Sequence, residues 1–587
     1  MDIQTQRHSA AHVMAAAIQR LFPQAKFGVG PAIENGFYYD IDIGRPVTEE
    51  DLKEISKEMK KMSSGNRPFV REEMGIDEAI ALFDSMGQIY KVELLKDLKE
   101  KGTTSLSEEE KQDLGDVKSV SIYKTGDFVD LCRGPHVESS SQIGAFKLTK
   151  FSGAYWRGNQ ANAQMQRIYG LVFATQEELD GHLKMLEEAE KRDHRKIGPE
   201  LGLFMFHQWA PGIPFFLPNG MIVRQELEKF VQEHSYGEGY REVKTPQIFD
   251  TDLWKTSGHW DHYQDDLFKI TIDDREMAVK PMNCPGHMLV FREGLHSYRD
   301  LPLRLAETTT LHRYELSGSL GGLTRCRGFA QDDCHIFARN NQVRDEVLAL
   351  LSRVKTIYAV FNLPIVEVML STRPESFLGE VSTWDQAEAD LKSALDASGL
   401  TYGINEGDGA FYGPKIDVRV KDVIGRMWQV ATVQLDYQMP ERFGLEYVEE
   451  DGSRQRPVVI HRAILGSFER FFGILIEHYA GAFPTWLSPN QVRVIPVADR
   501  HNDAARAIAA ELVAAGIRAD VDDATESVGK KIRMSEKTRV PYALVVGDRE
   551  AAGEALTVRI RGQKDQESME KAAFIARVVS EIQERKS

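Results

Sequence analysis

The chain has 587 residues, four cysteines and a formal net charge of −16. The length predicts about three or four domains, and so few cysteines exclude a disulfide scaffold. With no signal peptide and no apolar run of about 18 residues, we expect a cytoplasmic protein, and the acidic balance argues against a polyanionic partner.

The first predicted element is an N-terminal helix that carries His8 and His12. Their i, i+4 spacing places both imidazoles on one helical face. Cys132 and His136 repeat this spacing in Cys132-Arg133-Gly134-Pro135-His136. These ligand types suit zinc, although the glutamate of the zincin motif is missing. The residues alone leave open a metal site, a metal-free hydrolytic site and an unrelated set of side chains.

A charged helix is predicted over residues 176–196, with Gly198 and Pro199 as its stop. We interpret it as a solvated connector between domains. The polar segment 102–118 predicts an exposed loop. A second domain boundary is expected at Ser488-Pro489.

Three sequence blocks in the middle of the chain each hold one candidate metal ligand: Cys284 in residues 282–287, His335 in residues 331–337, and His461 in residues 460–467. One thiolate and two imidazoles are preferred ligands of Zn²⁺, and three protein ligands leave a fourth position open for water or substrate. Distant Cys and His residues are more often core residues, so the set by itself predicts little. The surrounding blocks favour a metal site.

A predicted hairpin lies in the sequence between the Cys284 and His335 blocks. Residues 311–318 and 323–329 indicate two antiparallel strands joined by a glycine-rich loop that can close over a nucleotide. Arg313 offers a planar, permanently charged fork for phosphate, and Phe329 offers a face on which a base can stack.

A second surrounding feature is an apolar helical segment that opens at Gly466 and Ser467 and carries Arg470. Glycine allows close backbone approach at a helix N-terminus, where phosphates bind. Two arginines and an aromatic ring therefore predict an ATP site.

Beyond Pro489, strands are predicted at residues 492–497 and 542–546, and helices at 502–515 and 567–585. This alternation predicts a small α/β domain. Residues 490–587 carry 17 basic and 16 acidic side chains, so the acidity lies upstream and a local basic face remains open.

Taken together, these blocks resemble class II aminoacyl-tRNA synthetases. The hairpin with Arg313-x-Glu315 looks like motif 2, and residues 466–470 look like motif 3. Residues 239–246 resemble motif 1, which in the family ends at a proline and builds a dimer interface. The Cys/His/His set is similar to that of the threonyl-tRNA synthetases, and the likeness covers essentially the whole chain.

The resemblance implies roles for the nucleotide-site residues. Arg313 would hold the α-phosphate of ATP, Glu315 would face the adenine amino group, and Arg325 would reach the triphosphate. Phe329 and Arg470 would sandwich the adenine, with the backbone at Gly466 and Ser467 beside it. The family's threonine pocket maps onto Gln331, Asp333, Tyr412, Lys415, Gln429 and Gln434.

Read one at a time, these polar residues are typical of a surface or a strand edge, and only the joint pattern points to a pocket. The implied reaction forms threonyl-adenylate from threonine and ATP with Mg²⁺, with one zinc per chain. Threonine then passes to tRNA(Thr).

The resemblance also bears on the N-terminal cluster. Threonyl-tRNA synthetases have a metal-free site that hydrolyses mischarged seryl-tRNA. By the resemblance, this site would consist here of His8, His12, Cys132 and His136, together with Asp130. We follow this interpretation, while the metal-liganded pocket of alanyl enzymes keeps the metal alternative open.

For the C-terminal domain the resemblance implies anticodon contacts at Asp499, Glu550 and Arg559. Residues 523–526 depart from the family, which usually has an Arg-Asn pair there. Base contacts in that segment are not carried over.

The implied fold is α+β and multidomain. We expect an N-terminal α+β editing domain (1–175), a connector helix (176–198), a class II catalytic domain with an antiparallel sheet flanked by helices (199–487), and a C-terminal α/β anticodon-binding domain (488–587). A homodimer through motif 1 follows from the family. Many relatives have a ubiquitin-like domain before the editing domain; since His8 lies almost at the start, we expect a form without it, natural or trimmed.

Two rival functions differ in class. A prolyl enzyme shares the class II motifs, but the Cys/His/His set disfavours it. A non-catalytic RNA-binding paralogue would be expected to lack Arg313, Glu315 or Arg470, and all three are present.

Overall fold

The structure is a computed structural model that describes residues 2–101, 118–158, 162–236 and 238–586. It divides into two compact units, Met1–Glu187 and Glu188–Ser587. The expected loop at 102–118 lies, apart from Lys118, outside the described residues. Among the described helices, none is long and apolar enough to cross a bilayer.

The first unit contains two antiparallel sheets and their helices. One sheet has the strand order β1-β3-β8-β7 with β2 on β3, and the other has the order β4-β5-β6. The strands are β1 (Lys26–Phe27), β2 (Ala32–Ile33), β3 (Gly36–Asp42), β4 (Phe69–Gly75), β5 (Ser119–Thr125), β6 (Phe128–Leu131), β7 (Ala145–Tyr155) and β8 (Gln164–Phe173). The helices are α1 (Ile3–Leu21), α2 (Glu49–Ser64), α3 (Ile76–Ser85), α4 (Ile89–Lys101) and α5 (Gln176–Arg192), which runs on into the second unit.

Helix α1 carries His8 and His12, as the sequence predicts. Its start is capped by the Asp2 side chain, which accepts a hydrogen bond from the Thr5 N–H at 3.2 Å. Residues 9–18 are buried, and the alanines among them favour a helix that packs closely on its neighbours. The two imidazoles are therefore held on a rigid element.

The second unit is built on an eight-stranded sheet. In spatial order its strands are β11 (Tyr240–Glu242), β15 (Leu303–Glu307), β18 (Asp333–Ala338), β25 (Val458–Ala463), β22 (Met427–Asp436), β21 (Lys415–Lys421), β19 (Ile365–Ser371) and β20 (Gly403–Asn405). The six central strands pair antiparallel and the two edge strands pair parallel. The predicted antiparallel catalytic sheet flanked by helices is confirmed.

Shorter elements surround this sheet. The helices are α6 (His194–Glu200), α7 (Pro218–Tyr236), α8 (Thr251–Ser257), α9 (His259–Tyr263), α10 (Cys284–Arg292), α11 (Val343–Val360), α12 (Val381–Ser398), α13 (Gln438–Arg442) and α14 (Phe468–Tyr479). The remaining strands are β9 (Phe204–Met205), β10 (Phe215–Phe216), β12 (Ile248–Asp250), β13 (Lys269–Ile272), β14 (Arg275–Val279), β16 (Thr310–His312), β17 (Gly328–Ala330), β23 (Tyr447–Val448) and β24 (Arg454–Gln455).

Side-chain alternation gives the large sheet two different faces. Cys334, Ile336, Val433 and Ile460 point to one face and join the main core with residues of α11, α12 and α14. The intervening residues of β18, β25 and β22 point to the other face, and many of them are polar. His335, His461 and Gln434 therefore lie on the face away from these helices.

The C-terminal part of the same unit is a five-stranded mixed sheet in the order β27-β26-β28-β29-β30. Its elements are β26 (Val492–Pro496), α15 (Asn502–Ala514), β27 (Ala519–Val521), α16 (Val528–Lys537), β28 (Tyr542–Val546), α17 (Asp548–Ala551), β29 (Leu556–Ile560), β30 (Gln566–Met569) and α18 (Lys571–Gln583). The predicted α/β alternation is confirmed.

Two predicted helix boundaries are wrong. The charged helix ends at Arg192, because the Asp193 carboxylate accepts the Arg195 N–H at 2.8 Å and caps the new helix α6, which includes Gly198 and Pro199. The final helix begins at Lys571, because residues 566–569 pair with β29 instead. In both places a tertiary or capping contact outweighs the local charge pattern.

One buried ion pair shapes the turn after β25. The Asp332 carboxylate accepts hydrogen bonds from the N–H groups of Ile464 (2.8 Å), Leu465 (3.1 Å) and Gly466 (3.1 Å) and pairs with Arg462 at 3.0 Å. Both charged groups are buried. This contact joins the strand of His335 to the segment that carries motif 3.

We predict that Asp332→Asn destabilises the second unit by about 3–5 kcal/mol, because it removes the carboxylate charge that compensates the buried Arg462 guanidinium. Glu446→Gln, which removes an exposed pair with Arg454, should cost less than about 1 kcal/mol. Urea unfolding monitored by tryptophan fluorescence measures both. Equal costs for the two variants would contradict the prediction.

Candidate active sites

Four paired strands place a row of side chains on the polar face of the large sheet. His335 of β18 pairs with His461 of β25, which pairs with Gln434 of β22, which pairs with Lys415 of β21. Directly opposed residues of antiparallel strands point to the same face. Residues far apart in sequence thus meet in one row.

The predicted metal ligands converge at this row. Potential ligand atoms of Cys284, His335 and His461 all lie within 4.8 Å of one another, and all three residues are buried. Cys284 is the first residue of α10, which lies over the polar face. The donor set of one sulfur and two imidazole nitrogens fits Zn²⁺.

Hydrogen bonds fix which imidazole nitrogens face the cluster. His461 Nε2 lies 3.0 Å from Asp436 Oδ2, so Nδ1 carries the lone pair. His335 Nδ1 lies 2.8 Å from His287 Nδ1, so its Nε2 remains available. Burial lowers the pKa of His335, which keeps this imidazole neutral as a ligand requires. Burial and the nearby Asp333 raise the pKa of the Cys284 thiol, so metal binding must displace its proton.

Behind His335 lies a buried polar chain that the sequence analysis did not identify. His287 Nε2 donates to Glu307 Oε2 at 3.1 Å, and Glu307 Oε1 accepts from Lys280 Nζ at 2.7 Å. Burial would raise the pKa of Glu307, but hydrogen bonds from His287 and Lys280 outweigh it and lower the value to about 2. A His287 that donates from Nε2 accepts at Nδ1, which orients His335. The only sequence signal was the presence of His287 in the Cys284 block.

Three predicted pocket residues lie beside the cluster. The Tyr412 ring is 5.1 Å from the His461 ring, and its hydroxyl donates to Gln434 Oε1. Asp333 Oδ1 is 3.9 Å from His335 Nε2, and Asn283 donates to its other oxygen at 3.0 Å. Burial raises the pKa of Asp333. A small polar ligand at the cluster would meet these groups.

The other predicted pocket residues lie further out. Lys415 Nζ pairs with Asp417 at 3.0 Å and Asp408 at 3.1 Å. Gln429 is exposed on β22 beyond an irregularity in its register with β21. Gln331 forms a bridge with Ser467. Lys415 is thus the last member of the row, whereas Gln429 and Gln331 lie outside it.

The predicted hairpin is present but short. β16 and β17 pair antiparallel, with Leu311 opposite Phe329. The Arg313 guanidinium carbon lies 5.2 Å from the Phe329 ring centre, and Arg325 Nε donates to Glu315 at 2.8 Å. The cation and the ring predicted for ATP binding therefore adjoin each other.

Helix α14 begins as predicted. The Ser467 side chain caps it by accepting the Arg470 N–H at 3.0 Å, and Gly466 adopts a positive φ of 74°. Arg470 Nε is buried, and no hydrogen-bond partner for it occurs among the described residues. Burial and the charge of Arg325 lower the pKa of Arg470. An anion at this point would supply the missing partner.

In the first unit, the second predicted constellation also assembles. Cys132 Sγ lies 3.3 Å from His8 Nε2 and 3.2 Å from His136 Nε2, and His12 completes a set within 4.8 Å. His12 Nε2 is 3.5 Å from Asp130. His8, His12 and Cys132 line a cavity of about 1070 Å³ that also has arginines on its wall.

Electrostatics keep the thiol and the imidazoles of this cluster uncharged. Burial and the Asp130 charge raise the pKa of Cys132 to about 12, and burial lowers the pKa of His12 and His136. These imidazoles are therefore uncharged at neutral pH and the thiol keeps its proton. The sequence analysis missed Lys91, whose ammonium pairs with Asp130 at 2.5 Å, because a lysine on a separate helix gives no local signal.

The predicted anticodon residues are dispersed. Asp499 and Glu550 follow the carboxyl ends of β26 and β28, whereas Arg559 lies on β29 opposite Ala543. Glu550 is engaged by the Gly547 N–H (2.9 Å) and the Thr557 hydroxyl (2.6 Å). Asp523, in the segment that departs from the family, pairs with Arg506 at 2.8 Å.

Three family models match the chain. They describe a tRNA synthetase class II core domain (G, H, P, S and T) at residues 268–479, an anticodon binding domain at 491–581, and the second additional domain of threonyl and alanyl tRNA synthetases at 120–169. The class II core match contains Cys284, His335 and His461. The match to the second additional domain contains Cys132 and His136.

Curated relatives match nearly the full chain. A threonine–tRNA ligase of Carboxydothermus hydrogenoformans is 50% identical over 99% of this chain and 89% of its own length. The threonine–tRNA ligase 2 of Bacillus subtilis is 49% identical with the same coverage. Among solved structures, the RNA binding domain of a Cryptosporidium parvum threonyl-tRNA synthetase is 41% identical, with a TM-score of 0.64, covering 66% of this chain and 98% of that one.

Proposed function

The chain belongs to the threonine–tRNA ligase family, and we propose that its two clusters divide the work of that family between synthesis and correction. As a member it activates threonine with ATP to threonyl-adenylate, transfers threonine to tRNA(Thr), and edits mischarged seryl-tRNA(Thr). The observation that carries the assignment of the synthetic site is the convergence of Cys284, His335 and His461 beside Tyr412 and Gln434.

We assign zinc to the three ligands of this cluster. When bound, Zn²⁺ would supply a Lewis-acidic centre to which the amino and hydroxyl groups of threonine would bind. Asp333 and Gln434 would then hold the amino group of threonine and orient the threonine side chain. Valine lacks the hydroxyl, and a site built to engage that group rejects such an analogue by roughly 10⁴- to 10⁵-fold.

The nucleotide would lie between the hairpin β16–β17 and the start of α14. In the proposed mechanism the threonine carboxylate attacks the α-phosphorus of ATP in line, and the bond to the leaving pyrophosphate breaks. Arg313 and Arg470 would neutralise charge that develops on the phosphate, and ATP would bring its own Mg²⁺. Arg470 Nε is buried and has no hydrogen-bond partner in the part of the chain that the structure describes, which supports this placement.

Serine explains the need for the second site. It keeps both groups that the synthetic site would recognise and lacks one methyl group, which is worth only roughly 10- to 200-fold in selectivity. A hydrolytic pocket at His8, His12, Cys132 and His136, with Asp130 and Lys91, would remove the error. The Lys91–Asp130 ion pair at His12 and the large adjoining cavity support deacylation without a metal.

The wider organisation is also proposed. The domains would be residues 1–175 for editing, 176–198 as connector, 199–487 for catalysis and 488–587 for the anticodon, contacted at Asp499, Glu550 and Arg559. A second copy would dimerise through motif 1, whose strand β11 is an edge strand of the large sheet. The cytoplasm, where protein synthesis consumes the product, is the proposed location.

The first prediction from the proposed function concerns zinc. Cys284→Ser should lower bound zinc from about one per chain and abolish threonine-dependent ATP–pyrophosphate exchange, because it removes the only sulfur ligand. Cys334→Ala is the control, since this thiol faces the helices. Plasma mass spectrometry and exchange assays measure both properties, and full activity in a metal-free preparation would refute the assignment.

The second prediction concerns the motif 2 arginine. Arg313→Ala should cost about 3 kcal/mol in kcat/KM for activation with the fold intact, because an arginine that meets developing phosphate charge acts mainly in the transition state. Arg275→Ala, at an exposed surface pair, should have no effect. Unchanged exchange kinetics for Arg313→Ala would mean that the nucleotide site is misplaced.

The third prediction concerns editing. The double variant His8→Ala/His12→Ala should charge threonine normally but deacylate pre-formed seryl-tRNA(Thr) at least about 100-fold more slowly, the scale of general acid–base catalysis. His182→Ala, a histidine of α5 outside the cluster, should behave as wild type. Wild-type deacylation by the double variant would falsify the site, and loss of a second equivalent of zinc would identify the metal alternative.

A further inference from the structure

His194, in the segment between the connector helix and the large sheet, bonds at both ring nitrogens to elements of the proposed ATP site. Nε2 accepts the backbone N–H of Leu323 at 3.0 Å. Because Nε2 accepts, Nδ1 must carry the proton, and it donates to Glu477 Oε1 at 2.6 Å. The ring is buried. It therefore joins the motif 2 loop to helix α14.

Further hydrogen bonds and an ion pair fix Glu477, the partner of His194 Nδ1. Glu477 Oε1 also accepts the His194 N–H at 3.2 Å, and Oε2 pairs with Arg426 at 2.6 Å. Burial would raise the pKa of Glu477, but the bond from His194 and the charge of Arg426 outweigh it and lower the pKa. Arg192 donates to the carbonyls of Glu477 and His478 at the end of α14. The imidazole thus has a fixed orientation.

The near side of the bridge is the base of the motif 2 loop. Gly322 has a φ of +65°, and a Cβ there would lie 2.4 Å from His194 Nε2, so only glycine allows this approach. Gly473 of α14 similarly leaves room, since a Cβ would lie 3.3 Å from Leu323 Cβ. Leu323 itself is fully buried in the main core. Loop, imidazole and helix are thus in close contact.

The base of the motif 2 loop is bonded to residues that we assigned to ATP binding. The Gly321 N–H donates to the Arg325 carbonyl at 3.0 Å, and Arg325 bonds to Glu315 at 2.8 Å. The position of Leu323 therefore sets that of Arg325 and Glu315 relative to Arg470 on α14. These are the residues assigned above to ATP.

We propose that His194 is a positioning residue for ATP: its Nε2 holds the Leu323 N–H and so fixes the motif 2 loop against helix α14. The proposal rests on the ATP site assigned above. It concerns a residue that touches neither nucleotide nor metal cluster. Its effect is therefore expected in nucleotide binding and not in threonine binding.

Two substitutions separate the two ends of the imidazole. His194→Asn places an amide near Nδ1, which keeps a donor for Glu477 but leaves the Leu323 N–H without an acceptor. His194→Gln reaches the position of Nε2 and restores the acceptor. Lys196→Ala, an exposed neighbour paired only with Glu190 among the described residues, is the matched control.

We expect His194→Asn to raise the KM for ATP in threonine-dependent exchange on the order of tenfold, the cost of leaving a buried N–H unpaired. The KM for threonine and the zinc content should not change. Hydrogen exchange, followed by mass spectrometry, should become faster in peptides that cover residues 317–328. His194→Gln and Lys196→Ala should resemble wild type in all of these measurements.

Several outcomes would overturn the proposal: an unchanged KM for ATP in His194→Asn, an equal rise for both substrates, or equal defects in the Asn and Gln variants. Gly322→Ala displaces the loop from the other side and should also raise the KM for ATP, which keeps the test decisive if His194→Asn does not fold. Arg470→Ala tests the assigned ATP site separately from the role of His194. If it alters ATP binding while His194→Asn does not, only the present proposal is wrong; if neither does, the ATP site is wrong.

Discussion

The pairing register of β18, β25 and β22 is the constraint on which the synthetic site depends. It places His335, His461 and Gln434 side by side on the face that the helices do not cover. A shift of one residue in any pair would exchange this polar row for the apolar row of Ile336, Ile460 and Leu435. The register is specified strongly, since those apolar side chains are needed in the main core. The stability of the fold and the geometry of the site therefore rest on the same alternation.

Burying Glu307 and Asp332 has a cost in free energy that the structure offsets by giving each carboxylate several donors. Glu307 meets Lys280, His287 and Thr245, and Asp332 meets Arg462 and three backbone N–H groups. Such networks contribute little net stability compared with an apolar core, but they leave each group with one favourable orientation. Orientation is what a metal ligand and a loop need. The same principle applies to His194, whose two nitrogens have different partners.

The two clusters show how similar residue types acquire different chemistry. At Cys284 two imidazoles have carboxylate or imidazole partners that turn a lone pair toward the thiol. At Cys132 the thiol contacts His8 and His136 directly, beside the ion pair of Lys91 and Asp130 and a large open cavity. A closed cluster with aligned donors suits a metal, whereas an open one with a charged neighbour suits a hydrolytic pocket. Ligand types alone do not distinguish these cases, so the two proposed assignments rest on the partners of the ligands.

The sequence by itself determined the features that local signals encode. It indicated helix α1 with His8 and His12, the hairpin around Arg313, the start of α14 at Ser467, the fold class and the membership of both clusters. It could not identify Lys280, Glu307 or His194, because a lone charged residue carries no spacing signal. It also placed helix boundaries wrongly at Gly198 and before Lys571, where the Asp193 cap and pairing with β29 decide. Local propensity and spacing act over one helical turn, whereas buried partners are chosen by side chains from strands and helices far apart in sequence, and only tertiary structure brings these together.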